Sequence, residues 1–290
     1  MLAIHLAPAQ AEDPRLDDGV REIPRLLAQY SEQGDVRLPS LSPAELDTLA
    51  AGAAIVTLYR EPNAEPGDEV HAMRVVGWHV VKAPQLLVWL SLLRGSEDSA
   101  ARLQHIVLTR RPAGAYVSYH HIDLPWPLND RHWMLLCEKN VSLAQESHDE
   151  IWEHRWSLLP PDDSLLESAY ESGRVAGLTR KRFDDSVYLT ANQGAWIVFD
   201  LGAGATLVAA SMDVDFGGHL PDTLVQAYAK HQMRAFFDSL NALPGANYAA
   251  RPVIDDGRGV PITEDAALRA AHHWSQKPGL IAASATNENW

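Results

Sequence analysis

Histidine is the residue type that most invites a chemical role in this sequence, because the chain contains 13 of them. His120 and His121 are adjacent in a run of strand-forming residues, so their side chains should point to opposite faces and cannot share one metal ion. The single cysteine, Cys137, lies inside an apolar run, which indicates a buried and inert thiol. The sequence has no H-E-x-x-H, C-x-x-C or G-x-S-x-G motif. We therefore predict no metal, no cofactor and no covalent catalytic residue.

The stretch DLPWPLNDRHW, residues 123–133, combines two prolines with two tryptophans and a charged pair. Proline fixes φ and biases the preceding residue toward extended geometry, so this stretch is predicted to be a stiff corner, with Trp126 at the rim of any cavity beside it. Asp130 and Arg131 have two interpretations. They anchor the start of a strand as a structural ion pair, since one charge alone would be costly to bury, or Arg131 reaches into a cavity and holds a ligand carboxylate or hydroxyl.

Composition and charge exclude several classes of protein. With 290 residues, of which 46% are hydrophobic and 21% charged, the chain has an ordinary globular composition and can bury a large core. Its formal net charge of −14 disfavours nucleic acid as a partner. The longest uncharged apolar stretch, residues 83–93, is about half of what a membrane-spanning helix needs, which leaves only transient membrane contact open.

The first residues bear on the compartment. Ala9-Gln10-Ala11 is similar to a signal-peptidase site, but a positively charged n-region is missing and the apolar segment is short. A cytoplasmic location is therefore predicted, with a periplasmic or secreted location as the alternative if the start is a clipped signal peptide. A lone cysteine that can form no internal disulfide fits the cytoplasm.

Two helices are predicted at the N-terminal end. The first is short and amphipathic and is interrupted at Pro24. The second covers residues 43–50, because Ser42 and Glu45 have the spacing of a capping box around a proline in the first turn.

The middle of the chain has the pattern of an antiparallel sheet. Strands are predicted over residues 54–59 and 70–81, followed by a short amphipathic helix over residues 85–93. Between residues 104 and 213 several strand-like runs follow each other, separated by turn residues, with no helix predicted between them. Strands spaced this closely favour an antiparallel meander over parallel βαβ units.

A long helix is predicted after the sheet, over residues 221–240, or about 30 Å. One of its faces is apolar and the other is polar. The predicted apolar stripe consists of Leu224, Val225, Tyr228, Ala229, Ala235 and Phe236. Such a helix is expected to bury its apolar stripe by lying across the concave face of the sheet. The two elements then enclose either a solid core or an apolar cavity.

The corner LPWPLNDR, residues 124–131, resembles that of START-type lipid-transfer domains in the wider SRPBCC, Bet v 1-like superfamily. Other segments are similar to motifs of this family in the same order along the chain. They are VVKAP (80–84) with Val88-Trp89, GAWIV (194–198), TLV (206–208) and DFGGHLP (215–221). The chain departs from the pattern at RGSED (94–98), where bacterial members have an acidic residue and a tryptophan, and at His132, where the family has an aspartate. Both departures bear on ligand preference.

The resemblance implies an α+β helix-grip fold, in which a curved antiparallel sheet wraps around a long C-terminal helix. The START-like domain covers residues 52–243, between an N-terminal helical extension, 1–51, and an irregular C-terminal extension, 244–290. The implied function is non-catalytic binding, with transfer as a further possibility, of a lipid or other hydrophobic small molecule in an internal cavity. An alternative is an enzyme of the same superfamily, of the polyketide aromatase/cyclase type. A third is a structural member whose cavity is filled.

Aromatic residues are core by default, but in a hollow fold some core positions are also cavity wall. The candidate ligand-binding residues, in the cavity or at its rim, are Trp126, Asp130, Arg131, Trp133, His154, Trp156, Trp196, Leu224 and Tyr228.

Overall fold

The computed structural model describes residues 14–60, 73–94, 103–111, 115–124, 128–202, 204–215 and 222–241. The helices in these ranges are α1 (Pro14–Gln33), α2 (Pro43–Ala50), α3 (Gln85–Arg94), α4 (Val141–Glu146), α5 (Asp163–Glu171), α6 (Arg180–Asp185) and α7 (Asp222–Asn241). The strands are β1 (Ile55–Arg60), β2 (Met73–Val81), β3 (Leu103–Arg110), β4 (Tyr116–Ile122), β5 (Arg131–Lys139), β6 (Ile151–Leu158), β7 (Val187–Tyr188), β8 (Ala191–Asp200) and β9 (Thr206–Asp215).

The strands form one sheet in the order β1-β2-β9-β8-β6-β5-β4-β3, with the two-residue β7 paired to β5 off this path. Every pair is antiparallel except that of β5 with β7. The predicted antiparallel sheet is therefore confirmed. The prediction that no helix interrupts it is wrong, because α4, α5 and α6 lie between its strands. Helices α4 and α6 have six residues each, too few to show the periodicity that is read over windows of about 11–18 residues.

Helix α2 is confirmed over Pro43–Ala50, and its predicted capping box is present. The Ser42 side chain accepts a hydrogen bond from the Glu45 backbone N–H, while the Glu45 carboxylate accepts one from the Ser42 backbone N–H at 2.7 Å. Two of the backbone donors that a helix N-terminus leaves unpaired are thereby satisfied.

Helix α1 is longer than predicted. It covers 20 residues and continues through Pro24, where the sequence predicted a short, interrupted helix. Ile23, Leu26 and Tyr30 are buried in a cluster with side chains from β2, β8 and β9, on the face of the sheet that we call the outer face. Tertiary packing of this kind offsets the backbone hydrogen bond that an internal proline removes. Residues of the predicted N-terminal extension thus share a core with the sheet.

A buried polar joint fixes α1 to β6. The Tyr30 hydroxyl donates to Glu153 Oε1 at 2.6 Å, and the Asn140 side-chain amide donates to Glu153 Oε2 at 2.7 Å. Burial raises the pKa of Glu153, and these two hydrogen bonds offset part of the rise. The carboxylate is therefore held in place by donors on both oxygens but is poorly hydrated.

This joint predicts a pH dependence of stability. A carboxyl whose pKa is raised in the folded state binds its proton more tightly there than in the unfolded chain, so its contribution to stability falls as the pH rises from about 4.5 through the raised pKa. We expect the unfolding free energy of the wild type relative to Glu153→Gln to increase on acidification from pH 7 to pH 5. Urea unfolding of both proteins at the two pH values measures this. A difference that does not change with pH, or that decreases on acidification, would contradict it.

Helix α7 lies over the opposite face of the sheet, the inner face, where it contacts β1 and β2. Its buried residues are Ala229, Met233, Phe237 and Leu240. Gly77 on β2 permits this close approach, since a Cβ at that position would lie 2.7 Å from the Phe237 ring. The predicted apolar stripe is confirmed at Ala229 and wrong at Ala235, which is exposed.

Candidate functional site

A cavity of about 300 Å³ lies between α7 and the inner face of the sheet. Side chains from β3, β4, β5, β6, β8 and β9 form its floor, and α3, α7 and Leu189 supply its remaining described walls. Because side chains alternate between the faces of a strand, the lining residues of a strand lie at every second position. On β4 these residues are Tyr116, Ser118, His120 and Ile122.

A second hollow, of about 540 Å³, lies on the outer side of the sheet and is lined by α1 and by the segment that joins α1 to α2. We regard the inner cavity as the candidate site despite its smaller volume. Its lining combines tryptophan rings with buried titratable groups from neighbouring strands, which is the combination typical of a small-molecule site.

Aromatic side chains form one wall of the inner cavity. The Trp156 and Trp196 ring centroids are 6.2 Å apart, and Trp196 lies 4.3 Å from the Phe236 ring of α7. The Trp156 Nε1–H donates to Asn192 Oδ1 at 2.8 Å, which satisfies the polar atom of that ring. This wall therefore offers a ligand mainly apolar ring surface.

Uncharged polar groups form a second wall, which we call the polar row and define as Tyr116, Ser118 and His120 of β4. The Ser118 hydroxyl is 2.9 Å from His120 Nε2 and 3.6 Å from the Cys137 thiol. The Tyr116 hydroxyl is 3.3 Å from Nε2 of His154. These groups converge on one region of the cavity, so a ligand there can both donate and accept hydrogen bonds.

The cavity is electrically neutral. None of the described residues that line it is Asp, Glu, Lys or Arg. Burial, with a contribution from the nearby Lys139, lowers the pKa of His154 to about 3. Burial, with a contribution from His105, also lowers the pKa of His120 to about 3. Both imidazoles are therefore uncharged near neutral pH.

The hydroxyl and thiol of the cavity are neutral as well. Burial raises the pKa of Tyr116 above its ordinary value, with Cys137 as a further cause. Burial likewise raises the pKa of Cys137, against hydrogen bonds with Ser118 and Tyr116 that lower it. The buried, protonated thiol agrees with the inert cysteine predicted from the sequence.

Five predicted site residues line the cavity together. They are Trp133, His154, Trp156, Trp196 and Tyr228. Trp126 lies outside the described residues, and so does the side chain of Leu224, although its backbone belongs to α7. Asp130 and Arg131 are not among the described residues that line the cavity.

Asp130 instead anchors the corner at the start of β5. Its carboxylate accepts hydrogen bonds from the Arg182 guanidinium of α6 at 2.9 Å and from the backbone N–H of Leu124 at 3.1 Å. Nε2 of His121 lies 3.2 Å from the same carboxylate. The contacts of Asp130 therefore favour the anchoring interpretation of the corner.

Arg131 is also buried at this corner. Its guanidinium donates to the backbone carbonyl of Asn129 at 2.6 Å, which adds to the stiffness that the two prolines predict for the segment. A role of Arg131 in holding a ligand stays a prediction.

Replacing Asp130 by asparagine is expected to lower the unfolding free energy by about 2 kcal/mol. Breaking a buried charge pair costs about 3–5 kcal/mol, and we reduce this figure because the Arg182 side chain keeps 36% of its surface exposed. Asp123 contacts the same guanidinium but is half exposed, so Asp123→Asn is the matched control and should cost less than about 1 kcal/mol. Urea unfolding compares the two variants, and equal losses would contradict the anchoring role.

Sequence reasoning missed the polar row and the cysteine beside it. The predicted opposite orientation of His120 and His121 is confirmed, because His120 faces the cavity while His121 faces Asp130. That alternation places Ser118 and Tyr116 on the same face as His120, but it does not identify which face of β4 is the inner one.

Two other kinds of feature are absent from the part of the chain that the structure describes. No group of three or more His, Cys, Asp or Glu side chains in the described ranges is arranged to hold a metal ion. No helix in those ranges is both long and apolar enough to span a membrane.

The antiparallel sheet with α7 over its inner face has the α+β helix-grip arrangement that was predicted from the sequence. A search with protein-family models found no match to the sequence, and a search of curated proteins found none either. A search of solved structures found similar chains, among them human StAR-related lipid transfer protein 5, which is 11% identical with a TM-score of 0.48 over 79% of this chain and 96% of that chain.

Two further similar structures cover less of this chain. Human STARD10 is 13% identical with a TM-score of 0.46 over 73% of this chain and 84% of that chain. The Zhui aromatase/cyclase from Streptomyces sp. R1128 is 15% identical with a TM-score of 0.38 over 59% of this chain and 93% of that chain. The names of the similar structures thus include a lipid transfer protein and an aromatase/cyclase, which are the two functions that the sequence left open.

Proposed function

We propose that this chain binds a lipid or other hydrophobic small molecule non-covalently in the cavity between α7 and the sheet, within a ligand-binding unit of residues 52–243. One observation carries the proposal, namely a cavity of about 300 Å³ with tryptophan walls and no charged lining residue among those described. A protein that needed this space only for stability would fill it, because unfilled volume in a core costs free energy.

Burial of apolar ligand surface supplies the affinity in this proposal. Each Å² removed from water contributes about 25 cal/mol, so a ligand that buries a few hundred Å² gains several kcal/mol before the cost of its lost motion. Trp156, Trp196 and Phe236 provide rigid ring surface for this contact. No reaction is required of the site.

A second candidate, an aromatase/cyclase-type enzyme, is favoured by one specific observation. Tyr116, His120 and His154 converge inside the cavity, as a site that orients and protonates a substrate would require. Their protonation states favour binding instead, because an efficient proton shuttle has a pKa near the working pH. The two imidazoles have pKa values of about 3.

Native mass spectrometry of the purified full-length chain tests the proposal. We expect a population with the mass of one small molecule added, which is released by organic solvent and identified in the extract. Incubation with a polyketone substrate analogue, followed by product analysis, tests the enzyme. A protein that carries no adduct, takes up no apolar compound offered to it and yields a cyclised product would overturn the binding proposal in favour of the second candidate.

A further inference from the structure

Polar and apolar groups lie on different parts of the cavity wall. The polar row is on β4, with His105 beside it on β3, near one end of the sheet order. Trp196 of β8 and Met212 of β9 lie three or more strands away, under Phe236 of α7. Between these two walls, β5 and β6 contribute a mixture. The cavity is therefore divided across the sheet. Hydrogen-bonding groups are concentrated on one side, and β8 and β9 present apolar surface on the other, apart from Asn192, which is bonded to Trp156.

The backbone of the polar row is regularly spaced. The Cα atoms of alternate residues on a strand are about 7 Å apart, so those of Tyr116 and His120 are about 13 Å apart with Ser118 between them, while the side-chain groups lie closer together. The Ser118 hydroxyl occupies the centre of the row, within 2.9 Å of His120 and 3.6 Å of Cys137. Because a hydroxyl both donates and accepts, it can pair with an alcohol or a carbonyl.

Three rings stand side by side along the polar side of the cavity. His105, His120 and Trp133 occupy paired positions on β3, β4 and β5. Neighbouring rings are stacked, with interplanar angles of 21° and 10° and centroid separations of 5.6 Å and 5.3 Å. This stack fixes the orientation of the His120 imidazole, and so the direction in which the polar row offers its hydrogen bonds.

The same wall disfavours an ionised ligand group. Such a group would lose water inside the cavity, and no described lining residue supplies an opposite charge. The polar residues elsewhere in the lining, Asn192, Tyr228 and Gln232, are uncharged as well. A volume of about 300 Å³ is at the lower end of the range for small-molecule pockets, roughly 300–1,000 Å³.

We infer that the ligand is an uncharged amphiphile with one compact skeleton, whose hydroxyl or carbonyl oxygen lies on the polar row at Ser118 and His120 and whose apolar body lies against Trp196 and Phe236. This inference rests on the proposed function and adds to it the charge, the size and the orientation of the ligand.

A series of probes on one naphthalene skeleton tests this. The full-length protein is titrated at pH 7 with 2-naphthalenemethanol, 2-methylnaphthalene, 2-naphthoate and 2-naphthylmethylammonium, and dissociation constants are taken from tryptophan fluorescence. The alcohol is expected to bind about tenfold or more tightly than either ion, because only the ions lose charge solvation without a partner. Equal or tighter binding of an ion would overturn the inference.

Ser118→Ala tests the orientation. It should weaken binding of the alcohol by about fivefold, the effect of one hydrogen bond, and leave binding of 2-methylnaphthalene unchanged within about twofold. Ser157→Ala is the matched control, because Ser157 is exposed on β6 outside the cavity lining, and it should change neither. If Ser118→Ala has no selective effect while both neutral probes still bind, the inference fails and the proposed function stands. If no probe binds, both fail.

Discussion

Replacing Ala229 by phenylalanine is expected to weaken binding of an apolar ligand by more than about 100-fold, because the ligand would have to displace the new ring from the cavity. Ala229 lies on α7, faces the cavity and is only 5% exposed. The added side chain enters existing empty space, so the unfolding free energy should change by no more than about 1.5 kcal/mol. Titration with 2-methylnaphthalene, followed by tryptophan fluorescence, measures the binding, and urea unfolding measures the stability.

The chain provides a matched control on the same helix. Ala235 is exposed on α7, so Ala235→Phe adds the same ring without entering the cavity and should bind the probe like the wild type. If Ala229→Phe and Ala235→Phe bind the probe equally well, the ligand does not occupy the space under α7, and the assignment of the site is wrong.

Replacing Gly194 by alanine is expected to lower the unfolding free energy by about 3 kcal/mol or more, since the added methyl group has no room. A Cβ at this position on β8 would overlap the carbonyl oxygen of Ser211 on β9 and would lie 2.7 Å from Cζ2 of Trp156. The carbonyl belongs to the neighbouring strand and cannot turn aside as a side chain can. Relief of the overlap would therefore move both the sheet and the Trp156 ring that forms part of the cavity wall.

A second glycine separates crowding from backbone strain. Gly177 has a φ of +71° and nothing within 4 Å of a Cβ placed on it, so Gly177→Ala should cost only the roughly 1–2 kcal/mol of a left-handed backbone. Urea unfolding of both variants measures the difference. A Gly194→Ala protein at least as stable as Gly177→Ala would show that β8 and β9 accommodate a side chain there.

Elements whose signal is local were predictable from the sequence. One of the predicted strand-like runs is confirmed as β6, Ile151–Leu158; its signal is local, because acidic residues bound the run on one side and Pro160-Pro161 on the other. Helix α2 is confirmed because its capping box needs only Ser42 and Glu45, three residues apart.

Features that depend on distant packing were not predictable. Helix α1 continues through Pro24 because its buried face packs on the sheet. The apolar stripe of α7 also includes Met233 and Phe237, which were not predicted. Both side chains are buried because Gly77 on β2 leaves room for them. No pattern within α1 or α7 contains this information.

The polar row was missed for a related reason. Both faces of β4 carry apolar side chains, since Val117 and Tyr119 pack in a cluster with Phe183 of α6 and with residues of α5, while Tyr116 and Ile122 face the cavity beside Ser118 and His120. Because α5 and α6 were not predicted, no predicted element packed against the outer face of β4. Without such an element, the sequence did not indicate which face of β4 points into the cavity.

We propose above all that α7 and the sheet enclose a cavity that a hydrophobic ligand can enter. Crystallography under xenon pressure tests it most directly, because xenon enters apolar cavities that water leaves empty. We predict xenon density inside the cavity, in the space that separates Ala229 of α7 from the wall formed by the Trp196 and Phe236 rings. A structure in which the protein's own side chains fill that space, with no bound xenon, would contradict the account.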